Sequence, residues 1–305
     1  IIKKEKKQKI LILKIENLIH EKNNKVKFFT FHTSFFRQLI FLTLKLKYLY
    51  SSTPGLDQTI FTKSKVSNCK YIYLQHSPAS LIMIYKNNAF DAFDAVQAIH
   101  SYQFNEMQEI ILNKKLKCKI FKGKYLFFDK ILKSKSEAKC DLLIAPSWNS
   151  SFYKLNCHII LNELLLKNKI NYEIRPHPMS LKLNEINVDD FKKLNIKYNI
   201  SSEFNLNNYK FLISDWSGIY IEYAFLKKRK AMLINTPKKI LNKNYAKFTH
   251  KPIEIDLRNI FADTFEVDEL HKLVLDIVNK KEKSIEKNSV LENEKIQKYI
   301  NKIFY

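Results

Sequence analysis

Glycine is almost missing from this chain. Three glycines, Gly55, Gly123 and Gly218, stand among 305 residues, where average usage would give roughly 20. That shortage excludes a Walker-type phosphate loop and a GxGxxG dinucleotide turn, which both need clustered glycines. It also marks the three that remain as positions where a side chain does not fit. Long apolar runs are missing too, and none approaches the roughly 18 residues of a membrane-spanning helix. The four cysteines, Cys69, Cys118, Cys140 and Cys157, form no CxxC pair. They read as reduced, packed thiols of a cytoplasmic protein. The eight histidines are scattered, without HExxH or His-x-His spacing, so no metal site is expected. The opening IIKKEKKQKI is basic, with a brief apolar stretch and no small-residue cleavage site, so no leader is expected. The chain does not begin with Met, and its first domain is expected to lack its true N-terminus.

Positive charge is abundant. The formal net charge is +23, which calls for nucleic acid, an anionic membrane surface or a phosphate-rich substrate. Lysine rather than arginine carries it, and compositional drift in a Lys-, Asn- and Ile-rich chain accounts for it equally well. No zinc finger, RNP motif or dense arginine cluster is present, so no specific nucleic-acid partner is expected.

The second half alternates strands and helices. CDLLIAPSW (140–148), KINYEIRP (169–176), IKYNI (196–200), YKFLISD (209–215) and AMLINTP (231–237) read as strands. Between them, residues 153–168, 181–194 and the stretch SGIYIEYAFLKKR carry apolar residues at helical spacing. The first half is less regular. Its candidate strands are VKFFTF (26–31), KYLYSS (47–52), KYIYLQ (70–75) and AVQAI (95–99), with a helix over 103–115. A mixed segment, CKIFKGKYLFFDKILKSKSEAKC, follows, and its polar stretch Lys133–Lys139 is the best linker. Residues from about Val267 onward are rich in Lys and Glu with helical periodicity. Repeated β-α-β units predict parallel sheets with helices on both faces. The expected architecture is α/β and GT-B-like: two Rossmann-like parallel-sheet domains facing a cleft, divided into residues 1–135 and 136–305.

Ligands of such sheets bind beyond the carboxyl ends of the strands. Four strand ends carry polar residues: His76 with its neighbours Gln75 and Ser77, then Ser147 and Trp148, then Arg175 and His177, and last Ser214, Asp215, Ser217 and Gly218. Alone, each is ordinary, since Ser-Asp before a helix is commonly an N-cap. Together they bring two histidines, an arginine and a helix N-terminus to one edge. Arg offers paired donors to phosphate, and helix N-termini attract anions. The segment NYEIRPHPMS sharpens this. Pro176 and Pro178 confine Arg175 and His177 to extended conformations and end the ladder, so both polar side chains are aimed out of the strand.

The segments LLIAPSW, IRPHPMS and FLISDWSGIYIEYAFLKK, in this order, resemble the CDP-glycerol glycerophosphotransferase family, the teichoic-acid and capsule polyol-phosphate polymerases and primases. LQHSP followed by FDAFD, and STPGLDQ (52–58), fit the same pattern, so the likeness runs from about residue 47 to 240. The resemblance implies transfer of a polyol phosphate from CDP-glycerol or CDP-ribitol to a hydroxyl of a lipid-linked or polysaccharide acceptor. It implies His76 as the base, with His177 contacting the donor pyrophosphate as the second catalytic histidine. Arg175, Ser214, Asp215, Ser217 and Gly218 would bind the donor phosphate, and Ser147, Trp148 and Glu222 the nucleotide. No cofactor is implied, and a divalent metal is optional. Two positions depart from the pattern: the family often has Gly where Ser77 stands, and often a second serine where Gly218 stands.

On this reading the acceptor oxygen attacks the β-phosphorus in line and CMP leaves, a step that needs mainly positioning and charge neutralisation. The basic surface would hold the protein peripherally at the anionic inner face of the cell membrane. A GT-B glycosyltransferase or a sugar-nucleotide epimerase would use the same cleft. A non-catalytic polyanion-binding protein would need only the charge.

Overall fold

The computed structural model describes residues 10–13, 26–29, 34–128, 139–201, 204–282 and 289–304. Most of the expected linker, Lys133–Lys139, and the proposed division at 135/136 lie outside the described residues. Near the start, β1 (Ile10–Leu13) and β2 (Val26–Phe29) form a separate parallel pair. Helix α1 (Ser34–Thr43) follows. A four-stranded sheet then takes β3 (Tyr48–Ser51), β4 (Lys70–Tyr73), β5 (Ala95–Ala98) and β6 (Lys119–Lys122) in chain order, all parallel. Helix α2 (Ser101–Lys114) makes the crossover from β5 to β6. Strand β6 was hidden in the mixed segment because it is an edge strand with no fully buried residue and so shows no clear period.

The second sheet is built from continuous apolar runs, as expected where helices cover both faces. Its strands are β7 (Cys140–Ile144), β8 (Tyr172–Ile174), β9 (Tyr209–Ser214), β10 (Ala231–Ile234) and β11 (Ala262–Phe265), all parallel, in the order β11-β10-β9-β7-β8. All four residues of β10 are buried. The connecting helices include α3 (Cys157–Lys167), α4 (Pro178–Lys182), α5 (Val188–Lys193) and α6 (Ile219–Lys227). The expected single helix over 181–194 is therefore two short ones. Asn184 takes a left-handed φ of 54° between them and breaks the first. IKYNI is not a strand but one bridge, Ile174 to Tyr198. Asn195 just before it is also left-handed (φ 51°), and the Asn199 and Ser201 carbonyls just beyond turn to Arg175.

Two features position the site. The chain steps from β7 outward to β8, then returns to place β9 on the other side of β7. The reversal leaves a crevice beyond the carboxyl ends of β7 and β9, where such sheets take ligands. The second feature is an apolar core shared by the two halves. Ile99, Tyr125 and Phe128 from the first half pack with Tyr220, Ile221 and Phe225 of α6. Short helices α7 (Ile253–Asp256) and α8 (Arg258–Phe261) and the longer α9 (Leu270–Glu282) precede the last helix, α10 (Ser289–Phe304). Ile296, Ile300 and Ile303 of α10 join the shared core. The Phe304 ring meets His100 of the first half at 5.2 Å and Phe225 of the second at 5.5 Å. The last helix thus straps the two halves together.

Candidate active site

His76 follows β4 and is open to solvent in the cleft, but the protein mass around it lowers its pKa. Its Nδ1 lies 3.0 Å from the hydroxyl of Tyr73, a fully buried residue. Burial drives the Tyr73 phenol well above its usual pKa, so it stays protonated. The backbone on either side is pinned. Gln75 N–H donates to Gln97 Oε1 (3.1 Å), and the His76 carbonyl accepts from the Tyr125 hydroxyl (2.9 Å). Gly123 leaves the space that the Gln97 side chain fills.

The next residues form a clamp. Gln103 Nε2 donates to the Ser77 and Ala79 carbonyls at 3.0 and 2.9 Å. Between them the Pro78 carbonyl meets His100 Nε2 at 2.8 Å. His100 caps α2 by accepting Gln103 N–H at Nδ1, so its Nε2 carries the proton, and burial lowers its pKa to about 4. Glu254, from the second half, accepts Ser80 N–H (2.8 Å), and Glu106, from α2, accepts Leu81 N–H (2.6 Å). Both carboxyls are wholly buried, and burial raises both pKa values, that of Glu254 to about 7.

On the opposite wall, His177 caps α4 by accepting Met179 N–H at Nδ1 (3.0 Å). The neutral ring therefore carries its proton on Nε2. Burial, helped by the positive charges of Lys239 and Arg175 and by His76, lowers its pKa to about 4. The histidines of the two halves therefore lie within electrostatic reach of each other. As a neutral ring, His177 has one N–H to offer a ligand. Trp148 lies 6.3 Å from it, centroid to centroid.

Arg175 is partly committed. Its Nη1 donates to Ser201 O (3.0 Å) and Asn199 O (3.4 Å), and its guanidinium lies 4.3 Å over the Phe204 ring. Ser214 and Asp215 are wholly buried and point into the protein. Ser214 Oγ donates to the Ala145 carbonyl (2.7 Å), and Asp215 Oδ1 accepts Ser147 N–H (2.8 Å). They join the ends of β9 and β7 across the crevice. Ser217 and Gly218, half-buried at the start of α6, lie closer to the opening. An ideal Cβ on Gly218 would stand 2.6 Å from Ser77 Oγ, which belongs to the other half. Glu222 Oε1 lies 2.7 Å from the Tyr125 hydroxyl, so it is linked through that phenol to the His76 carbonyl. Burial raises the Glu222 pKa to about 7.

The fold thus brings His76, Trp148, His177 and Ser217 to one cleft, and turns Ser214 and Asp215 inward. Three residues with no local mark in the sequence belong to the same place. Tyr73 and Tyr125 orient His76, and Lys239 lies 4.3 Å over Trp148. Tyr73 and Tyr125 read as ordinary aromatic positions, and Lys239 is one lysine among many. Its one signal was its position just past the AMLINTP strand. Among the described residues, no three of His, Cys, Asp and Glu converge as a metal site would need.

The geometry defines a GT-B-like α/β protein, two parallel-sheet halves across a cleft. Comparison with solved structures finds similar chains. A histidine-to-alanine variant of the wall teichoic acid polymerase TagF is similar over 84% of this chain and 68% of its own, at 16% identity and a TM-score of 0.50. A histidine-to-asparagine variant of TagF soaked with CDPG matches over 84% and 67%, at 14% identity and 0.47. The pneumococcal O-GlcNAc transferase GtfA, in complex with UDP and GlcNAc, matches over 87% and 56%, at 11% identity and 0.41. No protein-family model and no curated protein sequence matches the chain.

Proposed function

We propose that this protein is a transferase that moves a polyol phosphate, glycerol phosphate first, from a CDP-activated donor to an acceptor hydroxyl on a lipid-linked or polysaccharide chain. The observation that carries this reading is the pairing across the cleft. His76 on one half, hydrogen-bonded to Tyr73, lies within electrostatic reach of His177 on the other, whose neutral ring accepts Met179 N–H at Nδ1 and keeps its proton on Nε2. When Nδ1–H of His76 donates to Tyr73, its Nε2 is left with a lone pair to take a proton. The acceptor oxygen loses its proton to Nε2 and forms a bond to the β-phosphorus. The bond from that phosphorus to the bridging oxygen breaks, and CMP leaves with the electron pair. Nε2–H of His177, the Arg175 guanidinium, the Ser217 hydroxyl and the N-terminus of α6 would stabilise the charge that builds on the phosphates. Trp148, Ser147 and Glu222 would shape the nucleotide end. Asp215 would act by holding the Ser147 turn, since a carboxylate repels phosphate.

The test is CMP release from CDP-glycerol and CDP-ribitol, with membranes as acceptor, for the wild type and His76→Ala. Release by the wild type that the variant loses is the expected result. Consumption of a UDP-sugar, with both CDP donors ignored, would replace this reading by a glycosyltransferase. Polyanion binding without turnover would leave only the charge.

The reading also places the protein on an anionic membrane face in the cytoplasm. In support, α1 exposes Phe35 (71%) and Phe36 (56%) on a chain of net charge +23. No helix among the described residues is long and apolar enough to cross a membrane. Flotation with phosphatidylglycerol vesicles, and its loss in Phe35→Ser/Phe36→Ser, is the expected outcome.

A further inference from the structure

Lys239 is buried, with 5% of its surface exposed. It stands in the loop after β10, and its ammonium lies 4.3 Å over the Trp148 ring. Among the described residues it makes no hydrogen bond or ion pair. The carboxyl groups within its electrostatic reach are Asp215, Glu185 and Glu254, and the neighbouring titratable ring is His177. One oxygen of each carboxyl is engaged elsewhere, Asp215 with Ser147 N–H, Glu185 with Asn149 N–H and Glu254 with Ser80 N–H; the second oxygen of each is buried without a hydrogen-bond partner, and none of them forms an ion pair with Lys239. Burial outweighs their pull and lowers the Lys239 pKa to about 8, so it is mainly cationic at neutral pH.

A second buried cation in the same half shows what a purely structural one looks like. Arg258 is 7% exposed and lies 4.0 Å over the Trp216 ring. Unlike Lys239, it donates to three acceptors: the Asp215 carbonyl (3.0 Å), Asn235 Oδ1 (3.0 Å) and the Ile234 carbonyl (3.4 Å). Lys239 has the aromatic face without the acceptors. An aromatic face alone replaces little of an ammonium's hydration. A buried charge kept without a partner is costly to the fold, and an anionic ligand would supply the missing one. Trp148 places Lys239 on the wall that also holds His177.

We propose that Lys239 is an anion-binding residue of this cleft. Its ammonium pairs with a phosphate of a diphosphate-bearing ligand, and Trp148 holds it ready. This rests on the cleft being a nucleoside-diphosphate site.

The test is calorimetric titration of the full chain with CDP, UDP, inorganic pyrophosphate and cytidine, together with ligand-free thermal melts. The proteins are the wild type, Lys239→Met and the exposed control Lys192→Met. Lys239→Met is expected to bind the diphosphates about 30-fold or more weakly, the low end for removing one member of a buried charge pair. Its affinity for cytidine should be unchanged, and without ligand it should melt at or above the wild-type temperature. Lys192→Met should match the wild type throughout. Diphosphate binding by Lys239→Met as tight as wild type overturns the proposal. So does a lowered melting temperature with all ligands weakened alike, which would mark a structural lysine. A wild type that binds UDP and not CDP, with Lys239→Met losing UDP, supports the role of Lys239 and overturns the cytidine donor. A wild type that binds no diphosphate overturns both.

Discussion

Two strand ends meet across the cleft, and they are held differently. The turn from Ser214 to Gly218 is secured within its own half, by Ala145, Ser147, Thr236 and Arg258. The segment from Gln75 to Met83 is secured by both halves. Gln97, His100, Gln103 and Glu106 hold it from its own side. Glu254, Asn242 and the Leu241 N–H hold it from the other. The turn is therefore fixed within its own half, and so is His76, through Tyr73, Gln97 and Tyr125, whereas Ser80 to Met83 just beyond it takes partners from both halves. In the proposed reaction each half builds its own strand end, and the contact through Ser80 to Met83 sets one against the other.

The largest effects should separate the two sides by kinetic parameter. His76→Ala should lower kcat by about 10²- to 10⁴-fold, the usual share of a general base, with CDP affinity little changed. His177→Ala should instead weaken CDP binding by about 10- to 100-fold, the loss of one hydrogen bond to a charged group. Turnover lost with binding intact in His177→Ala would break the division of roles.

Next comes the clamp from the far side. Burial lifts the Glu254 carboxyl from 4.5 to about 7, so the folded state holds this proton more tightly than the unfolded one. Its contribution to stability is fully present below about pH 4.5 and is lost as pH rises through 7. His100 and His177, both lowered to about 4, act the other way and remove stability as pH falls below 6.5. Comparison of Glu254→Gln with wild type cancels those terms and keeps an acceptor for Ser80 N–H. The variant is expected to gain about 2–3 kcal/mol relative to wild type between pH 5 and pH 8 in urea denaturation. A flat difference would mean that the clamp does not titrate.

The contact between the two strand ends gives a smaller effect. Gly218→Ala would press its Cβ against Ser77 Oγ and should cost about 1–3 kcal/mol. Ser77→Gly in the same chain should restore more than half of that. The two departures from the family pattern, Ser77 and Gly218, are thus the two sides of one contact. A double variant no better than Gly218→Ala would disconnect them. The smallest effect belongs to Tyr125→Phe, which removes the link from Glu222 to the His76 carbonyl and should cost about 1 kcal/mol. It should move kcat more than CDP affinity.

Much of this fold was legible in the sequence. CDLLI, YKFLIS and AMLI were readable as strands because a strand covered on both faces is apolar throughout. The edge strand β6 was not, because partial burial leaves no period to read, and IKYNI, read as a strand, makes only the one bridge at Tyr198. The candidate site divides along similar lines. His76 and His177 stand at strand ends where turn chemistry announces them, and Pro176 and Pro178 make that announcement locally. Ser214 and Asp215 stand at an equally clear strand end, yet their side chains turn inward to β7, which lies more than 60 residues away in the chain.

Local order along the chain was enough to set the class of fold, the strand ends and the rigid bracket around His177. These follow from backbone sterics and from the burial period of single elements. Side-chain direction at those ends was settled by contacts between distant segments. Glu254 meets Ser80 across 174 residues, Tyr125 meets His76 across 49, and Lys239 reaches Trp148 from another strand end. Such contacts form only once each half has folded and, for Glu254 and Ser80, once the two halves meet, because a polar group takes its final partner from whatever burial brings within about 3 Å of it.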